Sequence, residues 1–238
     1  MELAPNLHRI GNDIVAAYLV ETSEGVTVID AGLAGHWREL VTELGVMGRT
    51  LADVRGVILT HGDSDHIGFA ERLRRDHGVP VYVGAADADR AKGAKPPKTT
   101  MGPIRLGGLL SFAGYSLRKG GLRTTYLTEV IPVDDGQTLD LPGAPQIIGL
   151  PGHSPGSIAI FVPSVSAVFV GDGLTTRHVL TAVTGPQPAP FTDEPALAIT
   201  SLRVLLPTAA TWVLPGHGGP WSGGVEAAVR AVETAASR

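Results

Sequence analysis

Apolar and polar positions along the chain change period several times, and each change marks an element. Asp13 to Val20 and Gly25 to Ile29 are β-rich runs, with Thr22-Ser23-Glu24-Gly25 as the turn between them. Trp37, Leu40, Val41 and Leu44 recur at helical spacing and predict a helix from about Gly35 to Leu44. Val57-Ile58-Leu59, bounded by Gly56, reads as a buried strand. Ile67, Ala70 and Leu73 then return to helical spacing, with Gly78 as the stop signal and a short strand at Val79 to Val83. The order β-β-α-β-α-β is an α/β pattern.

From about Arg90 to Thr128 the rhythm breaks. Arg90, Lys92, Lys95, Lys98, Arg105, Arg118, Lys119 and Arg123 have no acidic residue among them, and Pro96-Pro97, Gly107-Gly108 and Gly120-Gly121 punctuate the stretch. Ile104, Leu106, Leu109, Leu110, Phe112 and Leu117 give it an apolar, partly helical character. It reads as an insertion, either a surface loop with a helix pinned to the core or a lid over a site. β-Type runs follow at Tyr126 to Val133, Ile147 to Leu150, Ile158 to Val162 and Ala167 to Val170. A helix at Glu194 to Leu206, a strand at Thr211 to Leu214 and a helix at Val225 to Ala236 close the chain, with a flexible patch expected at Thr184 to Pro188.

Composition narrows the picture. The 238 residues, 43% of them hydrophobic, suffice for one domain over 1–238 with a full core. There is no cysteine, which excludes disulfides, thiolate ligands and cysteine nucleophiles. A net charge of −4 gives no basic bias toward nucleic acid. The N-terminus lacks the regions of a signal peptide, and no apolar run approaches the roughly 18–20 residues that span a bilayer, so a cytoplasmic protein without membrane insertion, acting on a small molecule, is expected. Nothing in the sequence speaks to oligomeric state.

The chemistry lies at strand ends. Thr60-His61-Gly62-Asp63-Ser64-Asp65-His66 sets two imidazoles and two carboxylates on one strand-to-helix loop, a donor set that suits zinc, iron or manganese. Three later stretches share a grammar in which an apolar strand runs into a Gly-flanked ligand-type residue. They are Pro151-Gly152-His153-Ser154-Pro155-Gly156, Gly171-Asp172-Gly173 and Pro215-Gly216-His217-Gly218. One such loop is weak evidence; four in one chain predict a shared metal site. Of the other histidines, His8, His36 and His77 are expected to be solvated or capping residues, and His178 to be a candidate pocket residue.

In this order, and with Val28-Ile29-Asp30-Ala31-Gly32 upstream, the motifs resemble the metallo-β-lactamase superfamily from about Asn12 to Trp221. The resemblance implies an αββα sandwich with a metal site at one edge of its two sheets. By motif, His61, Asp63 and His153 would hold a first metal ion and Asp65, His66 and His217 a second, with Asp172 bridging and Asp30 behind them as an orienting residue. The departure is Asp63, where the family's motif carries histidine. Three carboxylates with four histidines make the set more anionic, so two divalent ions are expected, zinc first, with iron or manganese as alternatives.

The function expected is hydrolysis. A water shared by two cations loses a proton near neutral pH and attacks a carbonyl, while Asp65 orients it and carries a proton to the leaving group. The Pro-Gly-His-Ser-Pro-Gly-Ser element is similar to glyoxalase II-like thioesterases and to lactonases, which points to an ester, thioester or lactone. A β-lactam is the less favoured substrate because no signal peptide is present. The competing classes are a nonhaem-iron oxidoreductase on the same scaffold and a metal-binding protein without catalysis.

Overall fold

The computed structural model describes residues 1–95, 99 and 101–237. Pro96-Pro97 and Lys98, part of the expected insertion, lie outside the described residues. The chain opens with β1 (Glu2–Ala4), β2 (Leu7–Gly11), β3 (Ala16–Thr22) and β4 (Gly25–Ile29), which pair antiparallel in succession. Helix α1 (Trp37–Val46) crosses to β5 (Val54–Leu59), and α2 (Ala70–His77), ended by Gly78, crosses to β6 (Val81–Gly84). After α3 (Ala88–Ala91) and α4 (Leu106–Arg118), β7 (Ile131–Val133) completes a seven-stranded sheet in the order β1-β2-β3-β4-β5-β6-β7, with β4 to β7 parallel.

The second half builds β8 (Gln146–Gly149), β9 (Ile158–Val162) and β10 (Ala167–Gly171), then a hairpin of β11 (Thr175–Arg177) with β12 (Thr184–Gln187). Helix α5 (Pro195–Ser201) leads to β13 (Trp212–Pro215) and α6 (Val225–Ala236), and the strands outside the hairpin form a second sheet in the order β13-β10-β9-β8.

Side-chain alternation explains why these elements stack in four layers. In β3, Ala17 and Leu19 point to the face covered by α1 and α2, while Tyr18 and Val20 point into the core between the sheets. β10 repeats the rule: Ala167 and Phe169 enter the inter-sheet core, and Val168 and Val170 meet α6 through Val225, Ala228, Val229 and Val232. Tyr18 and Phe169 touch across the layers, with ring centroids 5.4 Å apart, and the Tyr18 hydroxyl donates to the Pro215 carbonyl at 2.7 Å. The expected αββα sandwich is what the chain forms.

Several local expectations shift. Of the run at 126–133 only 131–133 pairs as a strand, and the expected flexible patch at 184–188 is largely β12. The helix expected over 194–206 is α5 followed by a tighter 3₁₀ stretch, Leu202–Thr208, which admits Pro207 near its end. His8 is buried rather than solvated and bonds Glu43 at 2.8 Å, while His36, also buried, is a capping residue as expected and accepts the Leu33 N–H. His77 is exposed and stacks on Trp37.

Candidate metal centre

Strands β4, β5, β8, β10 and β13 all end at one rim, and each delivers a polar residue just past its last pair. Asp30 follows β4, the His61–His66 loop follows β5, and His153, Asp172 and His217 follow β8, β10 and β13. All seven residues expected to surround metal are brought together, in three overlapping groups whose donor atoms lie within 4.8 Å of one another: His61, Asp63 and His153; Asp65, His66 and His217; and His61, His66 and Asp172. Asp172 stands between the first two groups. Its Oδ1 is 3.5 Å from His66 Nε2, and its Oδ2 is 3.2 Å from His217 Nε2 and 3.8 Å from His153 Nε2. Gly216 makes this closeness possible, since a Cβ there would lie 2.3 Å from His66 Cε1.

The hydrogen bonds behind the rings fix which nitrogen faces the centre. His66 Nδ1 bonds Asp30 Oδ2 at 2.9 Å, and His217 Nδ1 bonds the Ile14 carbonyl, so each carries its hydrogen on Nδ1. Thr192 spends its hydroxyl hydrogen on the Ala189 carbonyl and therefore accepts from His153 Nδ1, 3.2 Å away. Thr60 donates to Asp30 and by the same logic accepts from His61 Nδ1 at 3.0 Å. All four imidazoles thus turn Nε2 inward with a free lone pair, the arrangement in which a backing hydrogen bond sets the tautomer of a metal-binding histidine. His61 Nε2, His66 Nε2 and Asp172 Oδ1 are buried with no hydrogen-bond partner, an unsatisfied set that a cation would complete.

The electrostatics agree. Burial alone would push His66 and His217 down, but nearby carboxylates outweigh it: Asp30 and Asp172 hold His66 well above its ordinary value, and Asp172 and Asp65 raise His217 to about 9. Asp172, which burial would push up, is held far below the carboxylate range by His217 and His66. The cluster attracts positive charge strongly, whether proton or metal. The residues present fit a divalent metal centre.

Three supports were not legible in the sequence. Buried Asp87 ties the loops of both sheets together, accepting from Gly62 N at 2.9 Å, Ser154 Oγ at 2.7 Å and Gly156 N at 2.8 Å. Arg90, read from sequence as the start of the basic insertion, is buried at the rim and grips Asp63. Asp193 holds Arg90 from the other side at 2.9 Å. Only Asp87 and Asp193 among these had even a residue-type signal, as acids outside the matched motifs.

A cavity of about 300 Å³ opens over the centre. Asp65, His153, Asp172 and His217 line its floor, and Leu33, Phe112, Val179 and Phe191 its apolar wall. Phe112 comes from α4, which brings part of the 90–128 stretch over the cavity, but no lysine or arginine lines it among the described residues. Two of the basic side chains pair elsewhere, Lys119 with Glu39 and Lys92 with Asp89. His178 is buried but is not part of the lining.

A four-layer sandwich with a histidine–carboxylate cluster at its rim defines a metallo-hydrolase class. The chain belongs to the metallo-beta-lactamase superfamily, whose profile matches residues 10–217. It is similar to the probable metallo-hydrolase YflN of Bacillus subtilis (strain 168), 27% identical over 236 residues that cover 93% of this chain and 87% of that protein. The uncharacterized protein Rv2581c of Mycobacterium tuberculosis is 31% identical over 177 residues, 71% of each chain. Among solved structures, TTHA1623 in a di-iron-bound form superposes with a TM-score of 0.65 at 29% identity, covering 95% of this chain and 98% of that one. A metallo-beta-lactamase family protein of Thermus thermophilus, TTHA1429, shares the fold with a TM-score of 0.70 at 22% identity, over 99% of this chain and 80% of that one.

Proposed function

We propose that this metallo-hydrolase holds two divalent ions and cleaves an uncharged ester, thioester or lactone. The observation that carries the reading is the convergence of four Nε2 lone pairs and three carboxylates on one buried point, each imidazole backed by an acceptor for its Nδ1–H. His61, Asp63 and His153 would hold one ion and Asp65, His66 and His217 the other, with Asp172 shared. Ions held there would supply Lewis acidity toward a carbonyl oxygen and an acidified water as the nucleophile.

The chain's own residues do the rest. Asp65, on the cavity floor with Oδ2 3.4 Å from His217 Nε2, accepts the nucleophile's proton and returns it to the leaving alkoxide or thiolate. Phe112, Leu33, Val179 and Phe191 take the apolar part of the substrate and exclude water around the reacting carbonyl. Apart from the proposed ligands the described lining is uncharged, with no cationic side chain to pair an anionic tail, which favours a neutral substrate. Zinc is the first candidate ion, and the carboxylate-rich donor set together with the di-iron form of TTHA1623 keeps iron in contention.

The test is elemental analysis of protein purified without added metal, paired with a panel of neutral esters, thioesters and lactones. Near two equivalents of metal, hydrolysis of a panel member and loss of roughly 10²–10⁴ in kcat for Asp65→Asn are expected. Full metal content and turnover in both His153→Ala and Asp172→Ala would reject the centre.

A further inference from the structure

Asp63 is not free to serve a metal on its own. Arg90 Nε donates to its Oδ1 at 2.5 Å and Nη2 to its Oδ2 at 2.9 Å, a fork that engages both oxygens. Oδ2 is also the atom turned toward the imidazoles, 3.5 Å from His61 Nε2 and 3.4 Å from His153 Nε2. The clamp is built into the fold. Gly62 brings the loop so close to α3 that a Cβ there would lie 2.6 Å from Ala91 N and 2.9 Å from Arg90 Cβ. Asp87, just before α3, accepts the Gly62 N–H. On the far side Arg90 Nη1 donates to Asp193 Oδ2 at 2.9 Å, and Asp193 N donates to the His153 carbonyl at 3.0 Å, next to Thr192, which orients His153. The guanidinium therefore bonds Asp63 directly and is tied to the His153 segment through Asp193. Among the described residues Asp65, in the other group, and the shared Asp172 are ion-paired only with imidazoles.

We propose that Arg90 is a resident counter-cation of Asp63, so that the His61–Asp63–His153 site binds metal more weakly than the Asp65–His66–His217 site and fills last. The proposal rests on the metal-centre reading above. Two effects of the clamp oppose each other. Fixing the short aspartate side chain in one orientation favours binding by sparing the entropy of ordering it. A permanently charged guanidinium on the same carboxylate disfavours binding, because it cancels part of the ligand's charge and repels a second cation. In a buried rim the charge effect is the larger, since one side-chain torsion is worth little beside a full charge in direct contact. Asp193 offsets part of the positive charge, which makes it the second handle on the same quantity.

Titrating metal-free protein with Zn²⁺ against a chromophoric chelator reads the two binding steps, and Co²⁺ absorption distinguishes them spectroscopically. The wild-type chain should show two equivalents with dissociation constants at least tenfold apart. Arg90→Gln should tighten the weaker step by about tenfold or more and bring the two steps together. Arg90→Lys, which keeps the charge and loses the fork, should stay within about threefold of wild type. Asp193→Asn should loosen the weaker step further. Two steps of equal affinity in the wild type, or an Arg90→Gln step that is unchanged or weaker, would overturn the proposal. Should Arg90→Gln fail to fold, Arg90→Lys and Asp193→Asn decide it, the first by staying near wild type and the second by weakening one step alone. Wild-type protein that binds no metal would instead overturn the metal-centre reading.

Discussion

At the scale of single residues, His36 shows how a side chain outside the metal cluster holds the cavity's frame. The Leu33 N–H donates to its Nδ1 at 2.9 Å, so the neutral ring carries its hydrogen on Nε2 and donates to the Tyr115 hydroxyl of α4 at 2.7 Å. Protonating Nδ1 would set two N–H groups against each other. Burial, aided by Lys119 and opposed by Glu39, lowers the imidazole from 6.5 to about 4. The unfolded chain therefore binds the extra proton across that window and the folded chain does not, so stability falls as pH drops from about 6.5 toward 4. A gap of that size is worth roughly 3 kcal/mol, complete near pH 4. Thermal melts of wild type and His36→Gln between pH 7 and 4 should show the steeper decline in the wild type, and equal slopes would remove His36 from the account. The sequence could not reveal this residue. It read as a solvated or capping histidine, and it does cap the nearby Leu33 N–H, but its burial under Tyr115 comes from a tertiary contact that local spacing does not encode. The same holds for Arg90, whose charge placed it with the exposed basic residues until the fold set it against Asp63. The seven clustered donors were legible because each sits beside glycine or in the tight His61–His66 loop, a local signal that survives without any knowledge of packing.

Among the elements, α4 separates what periodicity can and cannot say. Its apolar residues foretold a helix within the 90–128 stretch, and one face does pack inward: Tyr115 is buried against Leu33 and Val15, and Phe112 stands edge-on to His217 at 6.3 Å between centroids. Leu106, Leu110 and Leu117 on the other face are exposed. The helix therefore serves the cavity through two or three side chains and is not a core element. Phe112→Ala should raise KM for apolar esters and lower kcat/KM by roughly tenfold or more, with metal content unchanged. Steady-state kinetics beside elemental analysis would check it, and unaltered kinetics on every substrate would make α4 a structural cover only. Strand β12 was missed for a complementary reason. Thr184-Gly185-Pro186-Gln187 has turn chemistry, and it becomes a strand because β11 pairs with it and α6 packs against it.

Across the whole molecule, the donors divide between the layers. His61, Asp63, Asp65 and His66 leave the seven-stranded sheet, while His153, Asp172 and His217 leave the four-stranded one. Neither sheet carries a complete set for either proposed ion. Cations bound to the folded chain alone add their binding free energy to stability. Chelation should therefore lower the melting temperature by on the order of 5–10 °C, and restored metal should recover it. A melting temperature indifferent to chelators, in protein shown to have bound metal, would mean that the rim is held by Asp87 and the inter-sheet core without help. Periodicity alone indicated an α/β pattern; the four-layer architecture was legible through the resemblance that the strand-end motifs carry, because layer stacking is set by contacts distant in sequence.

The spread of these donors along the chain also governs when the centre can exist. A ribosome delivers His61 to His66 early, with the first sheet, and His153 and Asp172 as the second sheet emerges. His217 arrives only after β13, the last strand described. A nascent chain could assemble the His61–Asp63–His153 group well before the Asp65–His66–His217 group had its last member. The site that Arg90 is proposed to weaken is thus the one that completes first. A guanidinium seated on Asp63 would keep a half-made protein from capturing a metal before its partner site could share it.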